Sequence, residues 1–319
     1  MAKKLINVAD LSRDDWLDWR KKGIGGSDAG AILGMNPWRS AIDVWADKTG
    51  KSAAGEKEET EAMRLGRDLE TYVAKRWEEA TGKKVRRNNY MLQHDKYPFM
   101  IADLDREIIG EKAILECKTA SPFTADKWED DNVPASYTIQ CLHYMAVTEA
   151  ERCYLACLIF GRGVEFRTIE RNEEAIDALI QKEKQFWNDY IVTNIMPPPD
   201  GSEAADDALK EMYKNSDPDA DAVELSGDIK RYDEINGLIA SLETEKKEME
   251  QAFKEELKEA EIGYCGPRKV TWKTQKGRER LDKKRLKEEH PDIYNEYVTY
   301  GESYRVFRVS KPEKKGKEN

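Results

Sequence analysis

The stretch that decides the fold is Asp105-Arg106-Glu107-Ile108-Ile109-Gly110-Glu111-Lys112-Ala113-Ile114-Leu115-Glu116-Cys117-Lys118-Thr119. Its second half is an apolar run that carries two charges. Because side chains alternate along a strand, Glu116 and Lys118 point to one face while Leu115 and Cys117 point to the other, towards a core. Burying two charges on an apolar strand costs free energy unless they have a function. The run therefore predicts a core strand that presents a functional pair.

A cation site follows if the preceding strand lies beside this one. The carboxylates of Asp105 and Glu116 could then meet and bind a hard divalent ion such as Mg²⁺ or Mn²⁺, with the backbone carbonyl of Cys117 as a further ligand. Lys118 could orient the attacking water or help to deprotonate it. The alternative is a cross-strand ion pair on a solvated sheet face, because Glu-x-Lys alone is common by chance.

Outward from this strand, the hydrophobic periodicity predicts a mixed α/β domain. Strands are predicted over Val85–Leu92, Phe99–Ile108, Ala113–Thr119, Arg152–Phe160 and Val164–Ile169, and helices over Ala29–Leu33, Glu58–Glu79, Ala135–Thr148 and Glu173–Asn194. Ser12 followed by Asp15 has the signature of a helix start. The prolines 197–199 mark the best boundary. We therefore predict a domain over residues 1–196, a linker over 197–221 and an extension over 222–319.

The extension begins with apolar residues seven apart on two seams, which predict a long amphipathic helix. It could pack against the basic segment that follows, or it could associate with a second copy as a coiled coil. The remainder of the chain predicts a small α/β unit, with strands at Val270–Lys273 and Tyr304–Val309 and a helix at Asp282–His290.

The charge distribution bears on DNA binding. The net charge is -10, which is unfavourable for a protein that holds phosphates. Basic residues nevertheless cluster after position 266, and they could hold a DNA backbone or form a solvated face. The candidate DNA contacts here are Arg268, Lys269, Lys273 and Lys276.

The remaining composition limits the class of protein. The sequence shows no apolar run long enough to cross a membrane and no secretory signal, so a cytoplasmic location is predicted. The chain contains five cysteines. Their spacing predicts reduced thiols rather than a zinc site or a disulfide framework.

Four motifs in order resemble a known family. The spacing Asp-x(10)-Glu-x-Lys is that of the PD-(D/E)XK nucleases, which have a restriction-endonuclease-like fold. Gln140 and Tyr144 resemble their helical QxxxY motif, and Gly66 to Glu70 resembles their helical G-x-x-x-E element. The segment from Gly23 to Gly34 resembles the opening of the YqaJ-type viral recombinase domain, to which lambda exonuclease is similar. The resemblance covers residues 12 to 195.

This resemblance implies a restriction-endonuclease-like mixed sheet flanked by helices. It also implies a Mg²⁺-dependent nuclease that acts 5′→3′ on double-stranded DNA ends and leaves 3′ single strands for an annealing protein or recombinase. Relatives close into rings, so a homo-oligomer is a further expectation. An endonuclease and an inactive DNA-binding module are the alternatives.

The resemblance also assigns roles to individual residues. Glu70 would help to hold the metal, and Ser27 with its neighbour Asp28 would bind the 5′ end of the DNA. The alternative for Ser27 and Asp28 is a helix cap. One departure concerns Arg106, because the family usually has glycine after its metal aspartate. Asp103, two residues before Asp105, is the rival ligand.

Overall fold

The computed structural model describes residues 2–51 and 60–310. These residues divide into two compact units, the first formed by residues 2–51, 60–215 and 305–310 and the second by residues 216–304. Across the described residues, no helix combines the length and the apolar character needed to cross a membrane.

The first unit is built on a five-stranded mixed sheet. Its strands are β2 Val85–Arg86, β5 Arg106–Ile108, β6 Ala113–Ala120, β7 Arg152–Ile159 and β8 Gly163–Glu170, and they lie in the order β2-β5-β6-β7-β8. Strands β6 and β7 are parallel, and the other neighbours are antiparallel. The central position of β6 and the predicted restriction-endonuclease-like mixed sheet are confirmed.

Helices cover both faces of this sheet. Helix α4 (Glu61–Thr81) packs Val73 and Trp77 against one face, where they meet Leu115. Helices α5 (Ala135–Thr148) and α6 (Glu173–Phe186) pack on the other face, where Ile114 is buried with Met145. Since Ile114 and Leu115 lie in different cores, β6 is buried on both faces, as expected for a strand with a parallel neighbour.

Two predicted strands are each divided in the structure. The chain predicted as Val85–Leu92 forms β2 and β3 (Tyr90–Gln93), and Phe99–Ile108 forms β4 (Ile101–Ala102) and β5. Strands β1 (Lys3–Asn7), β3 and β4 form a separate sheet of order β1-β3-β4. Periodicity could not show these breaks, because they are set by the change of partner strand, and a long-range partner leaves no local pattern.

Four further α-helices lie among the described residues of this unit. Ser12 accepts a hydrogen bond from Asp15 N and caps α1 (Arg13–Lys21), as predicted. The others are α2 (Gly26–Ile32), α3 (Ala41–Thr49) and α7 (Glu203–Met212). Helix α7 lies inside the segment predicted as a linker, and its Ala205 and Ala208 pack against Ile42. The linker prediction is corrected accordingly. The predicted start of α4 at Glu58 lies outside the described residues.

The second unit contains the long helix α8 (Ile229–Leu257), the hairpin β9 (Ile262–Cys265) and β10 (Arg268–Thr271), and helices α9 (Lys283–Glu289) and α10 (Pro291–Tyr297). None of its described residues is buried. The apolar residues Ile235, Leu242 and Met249 of α8 are exposed, so the packing of α8 on the basic segment is not seen in this unit. The strand predicted over Tyr304–Val309 was wrong, since those residues have no regular structure.

A buried polar pair joins α5 to α6. His143 Nδ1 lies 2.8 Å from Glu183 Oε1, and His143 Nε2 lies 2.9 Å from the carbonyl oxygen of Ile101. Neither His143 nor Glu183 is exposed to solvent. Burial lowers the pKa of His143, but the Glu183 carboxylate outweighs it and raises the pKa above the usual 6.5. The proton of His143 is therefore held more tightly than that of an ordinary histidine.

We predict that Glu183→Gln destabilises the protein by about 1.5–3 kcal/mol at roughly pH 6, because a charged hydrogen bond is lost. A raised histidine pKa stabilises the fold below the unfolded pKa, and that contribution disappears as the pH rises through the folded value. The loss should therefore shrink towards roughly pH 9. Urea unfolding at both pH values measures it, with Glu174→Gln, an exposed position of α6, as control. A loss that stays constant or grows with pH would contradict the assignment.

Candidate active site

Strand β6 places the predicted pair on the α5 face of the sheet. Glu116 is 4% exposed and Lys118 lies beside it, while Leu115 packs towards α4. Lys118 Nζ donates to Glu116 Oε1 over 2.6 Å. This confirms the alternation of the strand, and it excludes an ion pair on a solvated face because the carboxylate is buried.

Helix α5 adds the two residues of the predicted QxxxY motif. Gln140 Nε2 donates to Glu116 Oε1 over 2.7 Å, and Gln140 Oε1 accepts from Lys118 Nζ over 2.9 Å. Gln140 Nε2 also lies 3.1 Å from the hydroxyl oxygen of Tyr144. The residues are four apart and share one face of the helix. A single amide thus bridges the carboxylate and the ammonium group, and fixes both.

Asp105 reaches the same place from the start of β5. Its Oδ2 accepts a hydrogen bond of 2.7 Å from the backbone N–H of Cys117. Pairing between β5 and β6 begins at Arg106 with Leu115, so the edge of β6 beyond Leu115 is left for the Asp105 side chain. In an extended strand the N–H and C=O of one residue point to the same edge. The carbonyl of Cys117 therefore faces the Asp105 side.

The electrostatics of the group show an excess of negative charge. Burial and the neighbouring carboxylates of Glu116 and Glu70 raise the pKa of Asp105 well above its usual range. Burial also raises the pKa of Glu116, although Lys118 opposes it. Burial lowers the pKa of Lys118, but Glu116 and Asp105 outweigh it and raise that pKa. Carboxylates in this situation are stabilised as anions by a bound cation.

Glu70 lies beside this group, and in addition to burial its charge raises the pKa of both Asp105 and Glu116. It lies on α4, and its Oε1 forms an ion pair with Arg106 Nη1. The Glu70 carboxylate is thus paired with a guanidinium in this structure, and its role in holding the metal stays a prediction. Across residues 2–51 and 60–310, no three His, Cys, Asp or Glu side chains converge as a metal cage.

The remaining donors still fit a divalent cation. Mg²⁺ retains several waters and is commonly held by one or two carboxylates together with substrate phosphates. Asp105 and Glu116 supply the carboxylates, and the carbonyl of Cys117 supplies a neutral oxygen on the same edge. The chemistry of this set suits Mg²⁺ or Mn²⁺ rather than a softer ion.

Asp103 has a different partner. Its Oδ2 accepts from Trp16 Nε1 over 2.7 Å, which ties it to helix α1. Burial raises the pKa of Asp103. Since Asp103 already accepts from an indole and Asp105 lies against β6, the geometry favours Asp105 as the ligand.

The segment around Ser27 forms a second polar cluster. Ser27 Oγ accepts from Arg20 Nη2 over 3.0 Å, and the Arg20 side chain is 24% exposed. Asp28 is wholly buried, and its carboxylate accepts from the N–H of Gly25 and forms ion pairs with Arg20, Arg39 and Lys48. The prediction that Asp28 contacts DNA is corrected, since a carboxylate enclosed by three cations has a structural role.

The charged groups of this cluster shift the pKa values of Asp28 and Lys48. Burial raises the pKa of Asp28, but Lys48, Arg20 and Arg39 outweigh it and hold the pKa well below the usual range. Burial lowers the pKa of Lys48 to about 8. Three cationic side chains thus face two carboxylates, because Asp47 also pairs with Arg39, and Arg20 and Arg39 are both partly exposed. Sequence reasoning missed Arg20, Arg39 and Lys48; only the placement of Arg20 four residues after Trp16, over whose ring it lies at 5.2 Å, is a local signal.

The predicted DNA contacts of the extension belong to the second unit. Arg268 and Lys269 lie on β10, with Lys273 and Lys276 after it, and all four are exposed. Lys273 Nζ lies 3.9 Å from Glu261 Oε2, a distance at which an exposed pair contributes little. These side chains are available to a ligand.

The fold and the site together define a nuclease-type unit of the PD-(D/E)XK class, in which a central strand carries Glu-x-Lys beside an aspartate. The chain belongs to the family of the YqaJ-like viral recombinase domain, and the model of that family matches residues 15–151. It is 42% identical over 299 residues to the uncharacterized protein YqaJ of Bacillus subtilis, covering 92% of this chain and 93% of that protein.

The fold is also similar to solved structures. An alkaline exonuclease from Laribacter hongkongensis, LHK-Exo, aligns with a TM-score of 0.50 and 19% identity, over 57% of this chain and 94% of that one. Its complex with dAMP aligns with a TM-score of 0.48 and 17% identity over the same shares. The similarity to the first of these structures concerns the fold, and it covers most of LHK-Exo.

We predict that Asp105→Asn weakens Mn²⁺ binding by more than roughly 100-fold, the upper end of the loss typical for a residue that only supports a ligand. Asp103→Asn should change it much less, because asparagine retains an acceptor for Trp16. Isothermal titration with Mn²⁺ alone measures both variants. The reverse ranking would identify Asp103 as the ligand.

Proposed function

We propose that this chain is a Mg²⁺- or Mn²⁺-dependent deoxyribonuclease, which degrades one strand of double-stranded DNA from its 5′ end and leaves a 3′ single strand. The observation that carries the proposal is the buried network of Glu116, Lys118 and Gln140 with Asp105 at its edge. The family description as a viral recombinase domain supports a role in recombination. An annealing protein or recombinase is the expected partner, in the cytoplasm.

Each residue of the site would have its own role in the reaction. A bound divalent cation would polarise the scissile phosphate and lower the pKa of the attacking water. Asp105, Glu116 and the carbonyl of Cys117 would hold it. Lys118, protonated in this geometry, would orient the water and donate a hydrogen bond to charge developing on phosphate oxygens. Gln140 fixes the direction of Lys118, and the hydroxyl of the buried Tyr144 lies 3.1 Å from Gln140 Nε2.

The basic cluster of the amino-terminal helices supports the assignment of an end-binding site. Ser27 lies in the first turn of α2, where free N–H groups favour anions. Arg20 donates to Ser27 and retains partial exposure. The two side chains together would bind the 5′ phosphate by charge-assisted hydrogen bonds. A preference for an end would distinguish this enzyme from an endonuclease with the same metal site.

We predict degradation of linear double-stranded DNA in Mg²⁺ or Mn²⁺ and none of covalently closed circles. Ca²⁺ should permit binding with little turnover, because it is larger and orders its ligands loosely. Gel assays with strand-specific end labels measure both rate and polarity. Cleavage of the circle would show an endonuclease, and failure to cleave either substrate would indicate an assembly module. Full activity in excess chelator would exclude the cation mechanism.

The variants Glu116→Ala and Lys118→Ala test the assignment of the active site. Each should reduce kcat at least about 10²–10³-fold, the loss typical when one preorganised group is removed. Folding and DNA binding should persist. Glu174→Ala and Lys182→Ala, at exposed positions of α6, are the controls for loss of one carboxylate or ammonium group. Near-normal activity of either site variant would contradict the active-site assignment.

A separate prediction concerns Arg268, Lys269, Lys273 and Lys276. If they track the DNA backbone, neutralising them should weaken binding to all sequences alike and flatten the slope of log K against log salt by roughly 0.9 per lost phosphate contact. Their exposure leads us to expect this outcome with an unchanged Tm. A lower Tm with an unchanged salt slope would instead assign them to packing within the protein. Fluorescence anisotropy over a salt series, with thermal unfolding, provides both measurements.

A further inference from the structure

Tyr137 adds an aromatic ring to the surroundings of Lys118. Lys118 Nζ lies 5.0 Å from the centre of the Tyr137 ring, a distance at which the face of an aromatic ring attracts a cation. Tyr137 lies in the first turn of α5, three residues before Gln140 and seven before Tyr144. Residues at this spacing share one face of a helix. The face of α5 that carries the polar network therefore carries this ring as well.

Buried neighbours fix the position of the ring. Trp128 is 3% exposed and packs against Tyr137, with 5.9 Å between the ring centres and an angle of 38° between the ring planes. The carbonyl oxygen of Trp128 accepts a hydrogen bond of 2.5 Å from Arg167 Nη2 on β8. Tyr137 itself is half-buried and packs against the core on the α5 side of the sheet. This packing holds the ring beside Lys118.

The ring attracts the ammonium group without neutralising it. Burial raises the pKa of the Tyr137 hydroxyl, although Lys118 opposes this, so the phenol is neutral at physiological pH. Its interaction with Lys118 is therefore that of a ring quadrupole with a cation. A further carboxylate in the same place would cancel the positive charge that attracts a phosphate. An aromatic ring holds the ammonium group and leaves that charge available.

Among the described residues, side-chain hydrogen bonds engage two of the three N–H donors of Lys118. They go to Glu116 Oε1 over 2.6 Å and to Gln140 Oε1 over 2.9 Å. Two bonds still allow an ammonium group on a flexible stem to swing about the line between its acceptors. The Tyr137 ring is a third contact, which restricts that motion. Because the Lys118 side chain is 19% exposed, the remaining donor is then directed to one position within reach of water or a phosphate.

We propose that Tyr137 is a positioning residue, whose ring holds the Lys118 ammonium group in the orientation in which it donates to water or phosphate during DNA cleavage. This inference rests on the proposed function, in which Lys118 orients the attacking water. Since the ring acts through Lys118 and not on the DNA, its loss should lower kcat and leave KM unchanged.

The first test compares kcat and KM for linear double-stranded DNA in Mg²⁺. Tyr137→Leu removes the ring and should reduce kcat roughly five- to thirty-fold, the range that corresponds to the loss of a cation–π pair. Tyr137→Phe keeps the ring without the hydroxyl and should restore kcat to within about two-fold of the wild type. Tyr90→Leu is the matched control, because Lys4 Nζ lies 4.3 Å from the centre of the Tyr90 ring in the separate sheet of β1 and β3.

A second measurement detects the contact without DNA. In protein labelled with ¹³C at the lysine Cε atoms, the ¹H–¹³C signals of Lys118 are assigned by their loss in Lys118→Ala. A ring face close to the ammonium group shifts the neighbouring Cε protons upfield. This shift should be present in the wild type and in Tyr137→Phe, and absent in Tyr137→Leu.

Three results would overturn the proposal in a wild type that cleaves DNA. They are an unchanged kcat in folded Tyr137→Leu, a raised KM with unchanged kcat, which would make Tyr137 a DNA contact, and an equal loss of kcat in Tyr137→Phe, which would assign the effect to the hydroxyl. If Tyr137→Leu does not fold, the wild-type spectrum decides, because unshifted Lys118 signals would also overturn it. Absence of cleavage by a wild type with shifted Lys118 signals would instead defeat the proposed function, so the two failures are distinguishable.

Discussion

The hydrogen bonds that surround the buried carboxylate of Glu116 are the constraint on which the active unit depends. A charged oxygen at the centre of a sheet requires partners of opposite charge or several donors. Lys118 and Gln140 supply them, over 2.6 and 2.7 Å. Because Gln140 belongs to α5, the helix must lie on this face of β6 in one register. The same bonds that stabilise the carboxylate therefore also determine how the helix docks.

A buried histidine of α5 also holds this helix in place on the sheet. His143, one turn along from Gln140, lies between Glu183 of α6 and the carbonyl oxygen of Ile101 on β4. The chain leaves β4 through Asp103 and arrives at Asp105. One buried histidine thus connects the helix with Gln140 and Tyr144 to the strand that leads into the aspartate of the site. A change in this layer would be transmitted to both Gln140 and Asp105, since the packed core between them has low compressibility.

Local patterns predicted much of this site. The alternation in β6 and the spacing of four between Gln140 and Tyr144 follow from the geometry of one strand and one helix, so both were correct. The break within Phe99–Ile108, the burial of Asp28 and the pair of Glu70 with Arg106 depend on contacts between distant segments. Asp28, for example, meets Arg20 from α1 and Lys48 from α3. Sequence periodicity carries no information on such contacts between distant segments. A buried aspartate in a glycine-rich segment has the same local pattern as an exposed one.

The net charge of -10 and the proposed substrate can be reconciled by distance. Surface charges separated by more than about 8–10 Å are largely screened at physiological salt, so a phosphate responds to the nearest groups rather than to the whole chain. Near Ser27, the buried Asp28 is enclosed by Arg20, Arg39 and Lys48, and with Asp47 on Arg39 the cluster has three cationic side chains and two carboxylates. The buried aspartate fixes the cations in place, and the surplus positive charge is presented through Arg20. A buried negative charge can in this way build a positive surface, because it orders more cations than it neutralises.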